Sequence, residues 1–446
     1  MKPFPNIRTL ILTVASLSLP TTTAFGAGFA LIEQSASNLG SAFAGGAASI
    51  DDASTIYFNP AGMTELGSAQ AIFALHLVQP SSRFSNMASA GPGGASLGNE
   101  EGGDAGSLAF VPNVYYTHEI MPDLKFGFGI NAPFGLSTEY DENWMGRYHA
   151  IESHMQSVNI NPSLAYKVSE RLSLGGGINL QYLSVELTNA IDQATLCYGL
   201  AAQIPVLGAC AGLPTSNDGH AKVSGTSWGW GANLGLLYKV GEDTRIGAAW
   251  RSTIKHKLEG DAEFDNIHSA LQTAGFFVNT DASAEVELPA TLSLSAYHRI
   301  DSRWAVMGDV TWTQWSKFEE LRVKYDSGNQ GDTVQDESWD DTFRYALGIH
   351  YRQSEQLLLR AGIAYDETPI PDAEHRTPRI PGNDRTWIAL GLNYRVSPQL
   401  SFDLGYAHLF IGDTKIHDQG KLGATLDGEY ESSVDILSGQ VVWNYN

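Results

Sequence analysis

Cysteine is almost absent from this chain: Cys197 and Cys210 are the 2 in 446 residues. That is too few for a zinc ribbon or a small disulfide scaffold. Positive charge is scarce as well. Lys and Arg number 27 against 49 Asp and Glu, a formal net charge of −22, so no basic face is available for phosphates and a nucleic-acid partner is excluded. Charged residues make up only 17% while aromatics reach 10%, which excludes a disordered chain. Past the N-terminal stretch no run of about 18 apolar residues occurs, so helical membrane spans are excluded too. What is abundant is glycine, 46 residues, beside aromatic and acidic ones. That mixture points to a β-rich protein, a transmembrane barrel among the possibilities.

Lys2 and Arg8 precede the apolar run Leu10 to Leu19, and small residues Ala24 and Gly26 stand ahead of Ala27. A basic start, a short apolar stretch and a small-residue cut site spell a secretory signal over 1–26. An exported chain meets an oxidising compartment. Cys197 and Cys210 therefore read as a local disulfide stapling a surface loop, with two free thiols as the alternative.

Residues 27–68 are rich in Ala, Ser and Gly, with helix-like spacing of Leu31, Leu39 and Phe43. Asp51 and Asp52 are placed to cap a helix running to Phe58, which Asn59-Pro60 then stops. This reads as a small helical unit. From 69 to 446 the pattern changes to period two. In 387–394, Ile388, Leu390, Leu392 and Tyr394 alternate with Trp387, Ala389, Gly391 and Asn393. Trp304, Val306, Val310 and Trp312 face away from Asp309, Thr311 and Thr313.

Fourteen such segments can be drawn, among them 124–140, 244–260, 281–300, 303–325 and 335–352, each read as one strand. Short connections such as Ser169-Glu170 and Asp301-Ser302 alternate with long polar links such as 189–218, 261–280 and 412–432. This is the signature of an all-β outer-membrane barrel of 14 antiparallel strands. A lumen that wide must be filled, and the helical unit is the obvious plug. Trp312, Trp315, Trp387 and Trp443 are expected in the aromatic girdles at the membrane interfaces.

The third strand carries Asn131-Ala132-Pro133-Phe134-Gly135. Proline has no N–H for the ladder, so a bulge or gap is expected there unless Pro133 sits at a strand end. The apolar loop from Ala201 to Leu213, with Leu207 at its middle, either lines a greasy landing groove opposite Phe276-Phe277 or packs against neighbouring loops. Gly225-Thr226-Ser227-Trp228-Gly229 matches a hydrolase elbow, but a strand continues where that motif needs a helix. No catalytic residue is therefore assigned. His149 and His154 read as loop residues, not as a metal site. Asp332 to Asp341 reads as a solvated acidic loop.

Ala27-Gly28-Phe29, Asp51-Asp52-Ala53 and above all Asn59-Pro60-Ala61 resemble the N-terminal hatch of the FadL family of outer-membrane transporters. Further matches follow in order: Gly135 to Tyr140, Trp228-Gly229-Trp230, Leu288-Pro289, Trp312 to Ser316, Asp366 to Pro371, and Ile380-Pro381 ahead of Asp384-Arg385. The resemblance implies a hatch-plugged barrel that takes up long-chain fatty acids or similar hydrophobic molecules by passive diffusion. Capture at the loops, hatch rearrangement and lateral exit beside a kinked third strand would follow. No cofactor or metal is implied. The expected partners are a hydrophobic small molecule and the lipid and lipopolysaccharide of a Gram-negative outer membrane, around a monomeric barrel.

The resemblance also assigns substrate contacts to Phe29, Asn59 and Asp366 and the strand kink to Gly135, beside Pro133 and Phe134. One departure matters. Tyr182 to Leu187 carries no basic residue where fatty-acid members have one, and Gln335 stands at another family lysine position. Arg385 is then the candidate carboxylate partner, unless Asp384 pairs with it. The alternatives are an aromatic or alkane hydrocarbon channel of the same family and a general hydrophilic porin.

Overall fold

The computed structural model describes residues 28–214 and 216–445; the secretory signal expected over 1–26 lies outside the described residues. Alternating side chains build one antiparallel sheet of 20 hydrogen-bonded segments, closed as a 14-strand barrel. The strands are β1 (Ala69–Asn86), β2 (Ala109–Met121), β3 (Leu124–Asn131 and Gly135–Glu139), β4 (Glu152–Lys167), β5 (Leu172–Ile191), β6 (Gly219–Lys239) and β7 (Thr244–Arg251 and Ile254–Asp265). They continue as β8 (Thr280–Leu288 and Thr291–Arg299), β9 (Trp304–Thr313 and Glu320–Tyr325), β10 (Thr333–Asp336 and Thr342–Arg352), β11 (Leu357–Asp366), β12 (Arg385–Arg395), β13 (Leu400–Ile411) and β14 (Thr425–Tyr445). β1 pairs with both β2 and β14, Ala69 lying opposite Tyr445, so no edge is left unpaired by the closure. Leu347, Ile388, Leu390 and Trp443 point outward and stand exposed, an apolar belt that suits hydrocarbon.

Five strands that alternation alone draws as continuous are broken. Pro133 and Pro289 lack the N–H that a ladder needs at the breaks of β3 and β8. In β7 the Ser252 hydroxyl accepts from the Ala232 amide at 2.9 Å, displacing the ladder partner. β9 turns through a 3-10 turn at Trp315–Lys317, and β10 is interrupted where Ser338 takes a positive φ of 44°. The link 412–432 is not a loop either: Thr414–Gln419 pairs back onto the start of β14 as a hairpin.

Residues 28–68 fill the lumen. The helix expected between Ala30 and Phe43 shrinks to one turn, α1 (Ala36–Leu39), because Ala42 and Phe43 adopt positive φ and end it. The second is also one turn, α2 (Thr55–Phe58), followed by a 3-10 turn at Pro60–Glu65. Asp52 accepts from the Ser54 amide at 2.9 Å and from the Ser37 hydroxyl at 2.6 Å. Asp51 does not cap; it pairs with Arg360 of β11 at 3.2 Å, and Arg360 also meets Asp403 at 2.7 Å. Leu39 and Phe43 pack on Trp387, Ala389 and Leu409 of the wall. Close approach requires glycine where the hatch touches the sheet: a Cβ at Gly362 would lie 2.2 Å from the Ser41 backbone.

Trp443 is half exposed, as a girdle residue must be, but two others are not. Trp315 and Trp387 are each 1% exposed and lie inside. Trp387 shares its face with Ala389 and Gly391, the side that meets the hatch. Trp315 sits in the turn that breaks β9, where strand parity does not apply.

Candidate functional site

The break in β3 leaves a gap in the wall. β2 and β3 pair no further than Val114–Ile130, so residues 109–113 have no β3 partner, and Gly135–Glu139 pairs with β4. Past the gap the wall is joined again by the Ser107 and Ser137 hydroxyls, 3.0 Å apart. Ser157 of β4 receives the Phe134 amide and donates to the Phe134 carbonyl, at 2.9 and 2.6 Å, taking the place of a ladder residue.

The hatch N-terminus patches this gap. The Leu31 amide donates to the Pro133 carbonyl at 2.8 Å and the Gly135 amide to the Phe29 carbonyl at 2.9 Å. The Gln34 side chain donates to the Ala132 carbonyl at 3.1 Å, and Asn113 of β2 donates to the Glu33 carbonyl at 2.8 Å. Phe29 is fully buried behind the patch. Its ring centroid lies 4.9 Å from Trp315, 5.4 Å from Phe318, 5.7 Å from Trp339 and 6.1 Å from Phe134.

Beside that cluster is a cavity of about 130 Å³ between the hatch segment Ala30–Ile32 and the wall residues Arg344, Asp366 and Trp387. Arg344, Asp366 and Arg385 lie in a row on adjacent strands, Asp366 directly opposite both arginines. All three are buried. Arg344 donates one nitrogen to the Ala42 carbonyl at 2.7 Å, while its Nε and Nη1 have no hydrogen-bond partner. Arg385 likewise leaves Nε and Nη1 unmatched. Asp384 does not pair with Arg385; its carboxylate takes the Tyr365 hydroxyl at 2.6 Å and the Thr368 amide at 2.8 Å. Glu33 of the hatch is buried with one bare carboxylate oxygen. Burial pushes its pKa up to about 7, against the pull of its own backbone amide and of Arg385 and Arg344.

Phe29, Phe134, Asp366 and Arg385 thus come to one region, with Pro133 and Gly135 at the gap beside them. Asn59 does not join them. Its Nδ2 donates to the Ala47 and Leu236 carbonyls at 2.7 and 2.9 Å and its Oδ1 accepts from the Ala61 amide at 3.1 Å, so it anchors the hatch to β6 with Pro60 and Ala61. Leu207 and Phe276 are elsewhere. Cys197 and Cys210 are disulfide-bonded, and Leu207 is wholly buried under that bridge with Ala270, Leu271 and the half-buried Phe276. Leu207 therefore packs against the neighbouring loop rather than lining an open groove; Tyr198 and Val206 are the exposed apolar residues there. His149 meets Asp418 at 2.9 Å and His154 meets the Ser137 hydroxyl at 3.1 Å. In the acidic loop Glu337 is buried, not solvated. The residue that sequence reasoning missed is Arg344, one inward position in an otherwise ordinary alternating strand.

The family model described as "Outer membrane protein transport protein (OMPP1/FadL/TodX)" matches residues 17–445. This chain belongs to that family. The long-chain fatty acid transport protein of Escherichia coli K12 is 30% identical over 424 residues, covering 90% of this chain and 92% of that protein. The 47 kDa outer membrane protein of Pasteurella multocida is 34% identical over 412 residues, covering 90% and 91%. Among solved structures, a FadL homologue of Pseudomonas aeruginosa superposes with a TM-score of 0.84 at 26% identity, over 94% of this chain and all of that one. The toluene transporter TodX of Pseudomonas putida shares the fold at a TM-score of 0.70 and 19% identity, over 94% and 100%. This FadL-family chain is an outer-membrane transport protein for hydrophobic compounds, and its relatives are transporters rather than enzymes.

Proposed function

We propose that the chain takes up long-chain fatty acids by passive diffusion, with capture at the extracellular loops, movement of the hatch N-terminus and lateral exit through the β3 gap. One observation carries this reading. The cavity behind the patch joins a buried aromatic cluster to Arg344, whose Nε and Nη1 make no hydrogen bond, Nη1 standing 4.0 Å from the Asp309 carboxylate. A carboxylate placed there receives charge-assisted hydrogen bonds, and Arg344 supplies the lumen cation that β5 lacks. The alkyl chain lies among Phe29, Trp315 and Phe318, each CH₂ removed from water contributing about 0.8 kcal/mol. No chemical step on the substrate is needed, and the seated hatch argues against an open hydrophilic porin. The barrel acts as a monomer in outer-membrane lipid and lipopolysaccharide, in keeping with its closed sheet and apolar belt.

The packed rings of Phe29, Trp315, Phe318 and Trp339 also favour a second reading, a neutral aromatic hydrocarbon. Uptake of labelled oleate and labelled toluene by cells lacking native transporters separates the two. Oleate uptake above the empty-vector level supports the first reading, toluene uptake alone the second, and uptake of neither counts against both.

A further inference from the structure

The wall has another interruption, between β8 and β9. The two strands pair from Thr291–Thr313 to Arg299–Ala305, and again from Ala282–Tyr325 to Ala284–Val323. Between these stretches Glu285–Leu288 is held from the β7 side, by Lys257 to Ile254, while β9 turns away and pairs with β10 from Glu320–Asp336. Among the described residues no ladder bond crosses the interval; the Gln314 amide, donating to the Ala290 carbonyl at 2.9 Å, marks one end. A similar interval between β6 and β7 is stopped by side chains. A Cβ at Gly229 or Gly231 would come within 2.6 or 2.8 Å of Ile254, so that side chain fills the space.

The β8–β9 interval faces the same outward groove of about 1380 Å³, which runs from β6 to β9, and differs in backing onto the aromatic cluster around Phe29. Val286 and Phe318 line the groove, are each 4% exposed, and belong to the buried cluster around Phe29. Phe318 therefore separates the groove from the Phe29 ring, 5.4 Å behind it.

The outward faces fix the level of this interval. On β7 they change from Ile246 and Trp250 to Lys255 and Lys257 across the break, on β8 from Leu294 and Leu292 to Glu287 and Glu285, and on β9 from Val306 and Val310 to Glu320 and Arg322. Apolar outward faces belong to hydrocarbon and charged ones to the headgroup layer. The interval lies at that boundary, with the exposed Trp228 and Trp230 on the far side of the groove as interfacial residues do. Lys317, Arg322 and Lys324 stand on its rim beside Glu285, Glu319 and Glu320; Arg322 is held by Glu320 and Asp332, while Lys317 and Lys324 make no salt bridge among the described residues.

We propose that this interval is a side entrance for single-chain anionic amphiphiles dissolved in the outer leaflet. The tail passes between β8 and β9 past Phe318 towards Phe29, while the head stays at Lys317 and Lys324 on the rim. This rests on the uptake reading above but names a route distinct from the loops and from the β3 gap.

The test uses the full-length chain in cells without native transporters. Glu285 and Arg322 are the pair that continues the Ala284–Val323 register, so E285C/R322C places a disulfide across the interval. Oleate uptake is expected to fall about fivefold in the oxidised variant and to recover on reduction, with the wild type unchanged by the same treatments. K317E/K324E keeps the backbone untouched and is expected to lower oleate uptake about threefold while leaving toluene uptake as it was. Equal oleate uptake by the oxidised and reduced double-cysteine variant, or wild-type oleate uptake by K317E/K324E, overturns the entrance. Wild-type uptake no greater than empty vector fails the uptake reading itself, a separate outcome.

Discussion

Leu31 and Pro133 are joined by a backbone hydrogen bond of 2.8 Å, although one belongs to the hatch and the other to the wall. Proline leaves β3 without a ladder donor, and the hatch N-terminus uses the carbonyl that this break frees. The plug and the gap are thus joined in one hydrogen-bonded patch.

Phe29 holds that patch in place by its four ring contacts. Truncating a buried phenylalanine costs about 3–5 kcal/mol. In F29A the Leu31 and Gly135 amides should exchange hydrogen far faster, by a hundredfold or more, while the amides of β11 and β12 keep their protection. Equal protection of Leu31 in both proteins would show that the patch is held by something else.

Arg344 and Arg385 differ in how they meet the cavity: Arg344 lines it and Arg385 lies beyond Asp366. Charge-assisted hydrogen bonds contribute about 1.5–3 kcal/mol. R344Q should weaken oleate binding roughly tenfold or more in detergent titrations, with toluene binding unchanged. Unaltered oleate affinity would remove Arg344 from the carboxylate site.

Glu33 gives the hatch a pH dependence. Its folded pKa, about 7, stands above its ordinary value of 4.5, so the neutral form is the one the hatch accommodates. The stability that protonation confers is fully present below about 4.5 and is lost as pH rises through about 7, a swing of roughly 3 kcal/mol. Protease nicking of residues 28–68 should therefore be faster at pH 8 than at pH 5, and E33Q should abolish the difference. The opposite trend would contradict the burial argument.

Gly362 faces the hatch with no room for a side chain. G362V should insert as a barrel yet fail to seat residues 28–68, giving ion conductance in planar bilayers well above the wild type. Wild-type conductance would mean that the hatch can shift to make room.

The barrel was legible because period two repeats along most strands and loop lengths alternate. Pro133 announced the gap in the same way, through one missing donor. The other breaks were harder to see. Ser252 interrupts β7 through a hydroxyl that only a neighbouring strand can reveal, and Trp315 sits in a turn that strand parity cannot orient. Trp387 was misplaced because aromatic residues suit both the membrane interface and a lumen lined by Phe43. Arg344 was missed since a single inward arginine looks like any polar strand residue until the cavity beside it is known. Leu207 and its loop looked greasy in sequence, but the disulfide folds that surface inward.

Ala30 and Phe134 are bridge partners across the patch, so an A30C/F134C disulfide ties the hatch N-terminus to the break in the wall. Oleate uptake by cells carrying this variant, oxidised and then reduced, tests most directly whether substrate passes where the hatch meets β3. No uptake above empty vector is expected when the bond is formed, with recovery when it is reduced and a wild type insensitive to either treatment. Wild-type uptake through the locked protein would contradict it.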